Sequence, residues 1–241
     1  MAPRNTITRR NLLCGGIAVL AASPALSPAL AQAKPKIGVI GAGRIGGTLA
    51  RHWANAGYRV MISARTLDEV QKLAAEIGRG VTAGTPQQAA AFGDVVLISV
   101  PFGALPQVGR DNAAQLKGKI VLDTCNPYLG RDGEMAKEAL EKGTGVVVPT
   151  YLPGVRLVRA FNQISAAALA SEAHRKGEKI GVPLASDDKQ ALDVAQQLVR
   201  DAGFDPLVVG GLSTAKSFDQ GAPAYHTMTV RELKAILGIK S

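Results

Sequence analysis

Six residues constrain this chain more than any others. Gly41-Ala42-Gly43-Arg44-Ile45-Gly46 directly follows the apolar run Lys36 to Ile40 and opens a stretch with helical spacing at Ile45, Leu49 and Trp53. Gly41 permits a tight turn, Gly43 lets backbone approach a pyrophosphate, and Gly46 lets the helix pack closely on the strand. The helix N-terminus then presents unpaired N–H groups and the positive end of its dipole to an anion. A strand–loop–helix unit of this kind, followed by a second strand, predicts a dinucleotide-binding turn. Arg44 within it can help neutralise the diphosphate.

The rest of the body alternates short apolar runs with helical stretches. Strands are predicted at Tyr58 to Ser63, Val81 to Ala83, Asp94 to Val100, Lys119 to Asp123 and Leu157 to Phe161. Helices are predicted at Ile45 to Ala56 and Leu67 to Ile77, the latter stopped by Gly78. Thr85-Pro86 reads as an N-cap followed by proline at the first helical position. The run at 94–100 is apolar on both faces, as a central parallel strand requires. After Asn162 come a short helix (Ile164 to Leu169), a strand (Lys179 to Leu184) and a helix from Asp187 to Ala202 capped by Ser186 or Asp187. From about Leu207 a C-terminal extension reads as a strand, irregular structure and one helix, Val230 to Leu237. The pattern predicts one α/β domain, residues 34–241, with a doubly wound parallel sheet.

The end of the second strand selects between nucleotides. An enzyme using NAD places Asp or Glu there to hold the ribose hydroxyls. This chain has Ser63-Ala64-Arg65-Thr66 instead. Arg65 can hold a 2′-phosphate in a charge-assisted pair, with Ser63 or Thr66 adding hydroxyl donors, so NADP(H) is the expected cofactor.

The first 33 residues read as an address. Arg9-Arg10 precede an apolar stretch from Leu12 to Ala22, too short to cross a bilayer, and Ala31-Gln32-Ala33 has the small-x-small pattern of a cleavage site. This is the form of a bacterial twin-arginine signal, with cleavage expected after Ala33, export by the twin-arginine machinery to the periplasm, and no stable membrane anchor afterwards. A cytoplasmic location is the alternative. Cys14 does not fit a lipoprotein anchor, and without the leader Cys125 is the only cysteine. The formal charge of +9 comes from 28 basic against 19 acidic residues in 241. Setting aside Arg4, Arg9 and Arg10 leaves 25 against 19, or +6, with no long basic run. That modest charge, with 4% aromatic residues, suits a small anionic ligand and excludes a nucleic-acid partner.

With these motifs in hand, the chain resembles the coenzyme F420-dependent NADP oxidoreductases. The likeness runs through Ile37 to Arg65, Val96 to Phe102, Lys119 to Tyr128, Arg156 to Ile164 and Gly181 to Gly211. Val158-Arg159-Ala160-Phe161-Asn162 and Ala202-Gly203-Phe204-Asp205-Pro206 are similar to the family's later signatures. The first half also resembles pyrroline-5-carboxylate reductases and the cytoplasmic domain of metalloreductases. The resemblance implies a Rossmann-like fold, diphosphate binding by the backbone at Ala42, Gly43, Arg44 and Ile45, and a 2′-phosphate on Arg65. It implies Val100 and Pro101 on the adenosine side, and Asn126 and Ala160 near the nicotinamide. It also implies a homodimer, and direct hydride transfer to a deazaflavin such as coenzyme F420 or a flavin, with no catalytic side chain required. Ala64 departs from the family, whose members often carry a serine beside the arginine.

Other readings stay open. An exported carbonyl or imine reductase and a non-catalytic NADP(H)-binding redox sensor fit the same motifs. Asn162 is read equally as a partner of the nicotinamide amide or substrate and as a strand-end cap. His52, His174 and His226 lack metal-ligand spacing, and Cys125 reads as a small core residue. Tyr225 and His226 read as loop residues, although either can donate a proton to a ketone or imine.

Overall fold

The computed structural model describes Met1 and residues 34–240. The twin-arginine leader, its cleavage position and Cys14 lie outside the described residues. Those from Lys34 onward form one body. Its elements are β1 (Ile37–Ile40), α1 (Arg44–Asn55), β2 (Val60–Ser63), α2 (Leu67–Ile77), β3 (Thr82–Gly84), α3 (Pro86–Phe92), β4 (Val95–Ile98), α4 (Leu105–Asp111), α5 (Ala113–Leu116), β5 (Ile120–Asp123), α6 (Leu129–Lys142) and α7 (Thr144–Tyr151). They continue with β6 (Arg156–Arg159), α8 (Ala166–Ser171), β7 (Gly181–Ala185), α9 (Lys189–Asp201), β8 (Asp205–Gly210) and α10 (Val230–Leu237). Short 3-10 turns occupy Phe102–Ala104 and Leu212–Phe218.

One eight-stranded sheet runs in the order β3-β2-β1-β4-β5-β6-β7-β8. Pairing is parallel from β3 through β6 and again between β7 and β8. The expected doubly wound parallel sheet is present, with one exception to the parallel pairing: β7 pairs with β6 antiparallel, through Arg159 and Ala185. The strand predicted to begin the C-terminal extension is β8, at the sheet's edge, so the irregular part starts after Gly210.

The strands alternate at period two, and each face feeds its own core. Ile37, Val39, Val95, Leu97, Ile120, Leu122 and Val158 point into a cluster covered by α1, α2, α8 and α9. Ile40, Val96, Ile98, Val121 and Leu157 point into the opposite one, covered by α3 to α7. Helices on both faces make the sheet doubly wound. Trp53 shows how α1 is fixed: it is wholly buried, and its indole N–H donates to Leu198 O on α9 at 2.9 Å. Thr85 caps α3 as read, with Gln88 completing a reciprocal pair of hydrogen bonds. The cap of α9 is Asp188, whose carboxylate accepts from Ala191 N; the predicted Ser186 instead donates to Leu157 O, and Asp187 accepts from Leu212 N.

Three helical segments carry little local signal. α4 has proline at its second residue, α6 is interrupted at Gly133, and α7 strings valines ahead of Pro149. Each buries side chains on the second face of the sheet, and that packing outweighs weak propensity.

Candidate functional site

The glycine turn is built as its spacing predicts. Gly41 has φ +97°, and its N–H and that of Ala42 both donate to Ser63 O, at 3.0 and 2.9 Å. A Cβ at Gly41 would lie 2.2 Å from Ser99 O, and one at Gly46 would lie 2.2 Å from Gly41 O, so neither position tolerates a side chain. Gly43 differs. A Cβ there would meet nothing within 4 Å, and the residue opens onto solvent at the start of α1. That free space in front of a helix N-terminus without a side-chain cap fits a diphosphate.

A cavity of about 710 Å³ runs from this turn along the ends of β4, β5 and β6 to the C-terminal segment. Its wall is formed in turn by Gly43 to Ile45, Ser99 to Pro101, Thr124 to Asn126, and Phe161 to Ala166. Tyr128, Arg131 and Tyr225 to Thr227 complete it. Among the described residues, its lining carries the basic groups of Arg44, Arg131 and His226 and no carboxylate. The volume lies within the range of small-molecule sites, and the position at the carboxyl ends of parallel strands follows the rule for open α/β sheets.

Of the predicted site residues, Gly43, Arg44, Ile45, Val100, Pro101, Asn126 and Asn162 line this cavity. Gly41, Ala42 and Gly46 form the turn beneath it. Arg65 and Thr66 are exposed after β2, on the side of β1 away from β4. Two placements need correction. Ser63 cannot bind phosphate, because it is fully buried and its hydroxyl donates to Val39 O at 2.8 Å. Ala160 is fully buried among the core residues behind the wall, so its neighbours Phe161 and Asn162 face the cavity in its place. Val100 and Pro101 line the cavity on the β4 side of the turn, across β1 from Arg65.

The far wall depends on a strained turn. Phe161 has φ +58°, yet it is 1% exposed and held edge-on between Trp53 and Phe204. The turn delivers Asn162 and Gln163 to the wall. Their amide groups, and that of Asn126, are oriented by acceptors that cannot donate: Asn126 Nδ2 bonds Asn162 O at 2.7 Å, Asn162 Nδ2 bonds Phe218 O at 2.9 Å, and Gln163 Nε2 bonds Gly181 O at 2.8 Å. The three side-chain carbonyl oxygens are left buried without partners. All three residues line the end of the cavity away from the glycines, but these oxygens themselves are covered.

Sequence reasoning missed what lies behind this wall. The Arg159 guanidinium is fully buried between Asp123, at 2.6 Å, and Asp219, at 3.1 Å, and also donates to Cys125 O at 3.0 Å. Asp219 in turn accepts from the Thr144 N–H and hydroxyl at the start of α7. Burial works against the arginine's charge, but the two carboxylates outweigh it and hold its pKa above the ordinary value. One signal was available: adjacent strands β5 and β6 end on an acid and a base in register. Burial, and then the nearby Asp123 charge, push the Cys125 thiol well up, so it stays a neutral core group.

The C-terminal segment contributes more than a loop. Asn126 Nδ2 also donates to Tyr225 Oη at 3.1 Å, and Tyr225 and Tyr128 share a hydrogen bond of 3.1 Å. Arg131 stacks over the Tyr128 ring at 4.9 Å and donates to Asn126 O at 2.8 Å.

Residues 36–127 match the family described as NADP oxidoreductase coenzyme F420-dependent. The chain is 29% identical to the F420-dependent NADP reductase of Methanothermobacter thermautotrophicus, over 85% of this chain and 94% of that protein. It is 28% identical to metalloreductase STEAP3 of Rattus norvegicus, over 77% of this chain but 36% of that larger protein. In structure it resembles a hypothetical protein from Sinorhizobium meliloti, with TM-score 0.67, 24% identity, and coverage of 81% and 94%. It also resembles a pyrroline-5-carboxylate reductase from Coxiella burnetii, with TM-score 0.59, 17% identity, and coverage of 80% and 66%. These last two likenesses show the fold, Rossmann-like with a mostly parallel sheet. The dinucleotide turn lies inside the matched region, so the part of the chain most similar to NADP oxidoreductases is the part that carries Gly41 to Gly46.

Proposed function

We propose that the cavity binds NADPH in an extended pose and brings its nicotinamide against a deazaflavin- or flavin-type acceptor, with coenzyme F420 the first candidate. The single observation that carries this reading is the continuity of the cavity. One wall runs from the open backbone at Gly43 to the carboxamides of Asn126, Asn162 and Gln163. In this reading the α1 N-terminus and Arg44 hold the diphosphate, and Arg65 holds the 2′-phosphate beyond β2. Bound nicotinamide supplies the hydride. The chain positions it, excludes water behind the buried ends of β5 and β6, and among the described lining residues presents no carboxylate to repel an anionic acceptor.

The test is direct. Purified protein mixed with NADPH and oxidised coenzyme F420, or riboflavin, is expected to lose the dihydronicotinamide absorbance as the acceptor is reduced. Tight NADPH binding without oxidation by either acceptor would favour the redox-sensor reading, and oxidation only with a ketone or cyclic imine would favour the carbonyl or imine reductase.

The paired arginines at 9 and 10 support export of the folded protein with NADP(H) already bound. Mass spectrometry of nucleotide released by denaturing the mature protein checks this, and a protein purified without nucleotide would argue against it.

A further inference from the structure

We propose that Tyr225 is the proton donor of the reaction and that Tyr128 resupplies it from solvent. This rests on reading the cavity as a site where hydride passes to a conjugated ring acceptor. Adding a hydride to a ring carbon of such an acceptor leaves an electron pair on a ring heteroatom, which must take up a proton. The glycine turn has no acid to give. Tyr225 lies on the cavity wall with Asn126 and Asn162, which frame the end assigned to the nicotinamide.

Proton counting gives the direction of flow. Asn126 Nδ2 can only donate, so one lone pair of Tyr225 Oη is committed to it. Tyr225 and Tyr128 hold two hydroxyl protons between them, and the single bond joining their oxygens uses one. The other either leaves Tyr128 toward solvent or leaves Tyr225 toward the cavity, and the two states interconvert by rotating both hydroxyls. When Tyr225 gives its proton to the acceptor, the O–H bond breaks and a new bond forms to the acceptor heteroatom. Tyr225 Oη then takes the proton of Tyr128, and Tyr128 takes one from water. The two electrons move only as hydride, from the dihydronicotinamide to the acceptor, so the tyrosines end as they began.

The surroundings suit each tyrosine to its part. Burial, and then the hydrogen bond with Tyr128, push the Tyr225 phenol up, so it carries its proton throughout the neutral range. Transient negative charge passes to Tyr128, which is 40% exposed and lies beneath the Arg131 guanidinium. A buried phenolate therefore never accumulates.

The experiment is single-turnover mixing of the NADPH-loaded protein with oxidised coenzyme F420, in water and in heavy water, with NADPH affinity measured separately by fluorescence titration. Tyr225→Phe is expected to slow acceptor reduction by about 100-fold, the usual range for a general acid, and to abolish the solvent isotope effect while NADPH affinity is retained. Tyr128→Phe is expected to slow it less, because water can reach Tyr225 in its place. A Tyr225→Phe protein as fast as wild type overturns the proposal. So does a loss of rate matched by an equal loss of NADPH affinity, or a rate that depends on His226→Gln and not on Tyr225. Wild-type protein that binds NADPH yet reduces no deazaflavin or flavin overturns the acceptor reading itself, before any variant is made, and this proposal with it.

Discussion

The guanidinium of Arg159 stands 2.6 Å from the carboxylate of Asp123, and neither side chain touches solvent. With Asp219 on its other side, Arg159 ties β5, β6 and the C-terminal segment to one buried point directly behind the cavity. Removing the cation leaves two carboxylates buried without their partner. Arg159→Met is expected to lose about 3–5 kcal/mol of folding stability, the cost of breaking a buried pair from one side. Urea unfolding followed by circular dichroism measures it; a loss below 1 kcal/mol, on the scale of an exposed pair, would contradict the account.

Nucleotide choice is assigned to a residue outside the cavity. Arg65→Ala should weaken NADPH binding by about 1.5–3 kcal/mol, the range for a hydrogen bond to a charged group, and leave NADH binding unchanged. Calorimetry with both nucleotides decides it. Equal losses would remove Arg65 from the 2′-phosphate.

Two glycines of the same turn should respond in opposite ways. Gly43→Ala places a methyl in open space, so stability should stay within about 0.5 kcal/mol of wild type. That methyl occupies the room a diphosphate needs, and NADPH affinity should fall at least about tenfold, or 1.4 kcal/mol. Gly46→Ala drives a methyl against Gly41 O, and should cost about 1–3 kcal/mol of stability before any ligand is added. Thermal melts of both variants, with and without NADPH, separate the two effects.

A histidine on α1 sets part of the pH response. His52 Nε2 lies 2.9 Å from Leu169 O, a carbonyl that can only accept, so Nε2 is the donor. Burial lowers its pKa below the usual histidine value, and the nearby His174 and Arg51 charges act the same way, against the opposing effect of the Leu169 bond. A base with a depressed folded-state pKa contributes full stability above its unfolded value near 6.5, and loses it as the pH falls through the folded value. Melting temperature should therefore drop as the pH falls from 7 toward 5. His52→Gln, which keeps an N–H donor but does not titrate, should flatten that part of the curve. An identical slope in the variant would assign the titration elsewhere.

Legibility from the sequence follows local signals closely. α2 ends on Ile77 because Gly78 takes φ +67°, and α10 runs from Val230 to Leu237 between Thr229 and Gly238, as their residue types suggest. The glycine turn was readable because each glycine answers a steric demand confined to a few residues. α6 and α7 were not, since glycines at 130 and 133 and the Val-Val-Val-Pro run oppose helix until the sheet buries one side of each. Ser63 looked like a phosphate ligand because position along the chain does not reveal which face of β2 a side chain occupies. Tyr225 reached the cavity only through tertiary contacts some 100 residues away in sequence, Asn126 at 99 and Tyr128 at 97.

The reversal of direction between β6 and β7 has a consequence for how this molecule can vary. A parallel neighbour would oblige the chain to travel the full height of the sheet before re-entering, which ties the length of the connection to the strands. Here the chain departs and returns on one rim, as a detour hung from the edge of the pocket. Residues added to or removed from that detour would resize the far wall of the cavity, while the glycine turn, anchored on β1, keeps its dimensions.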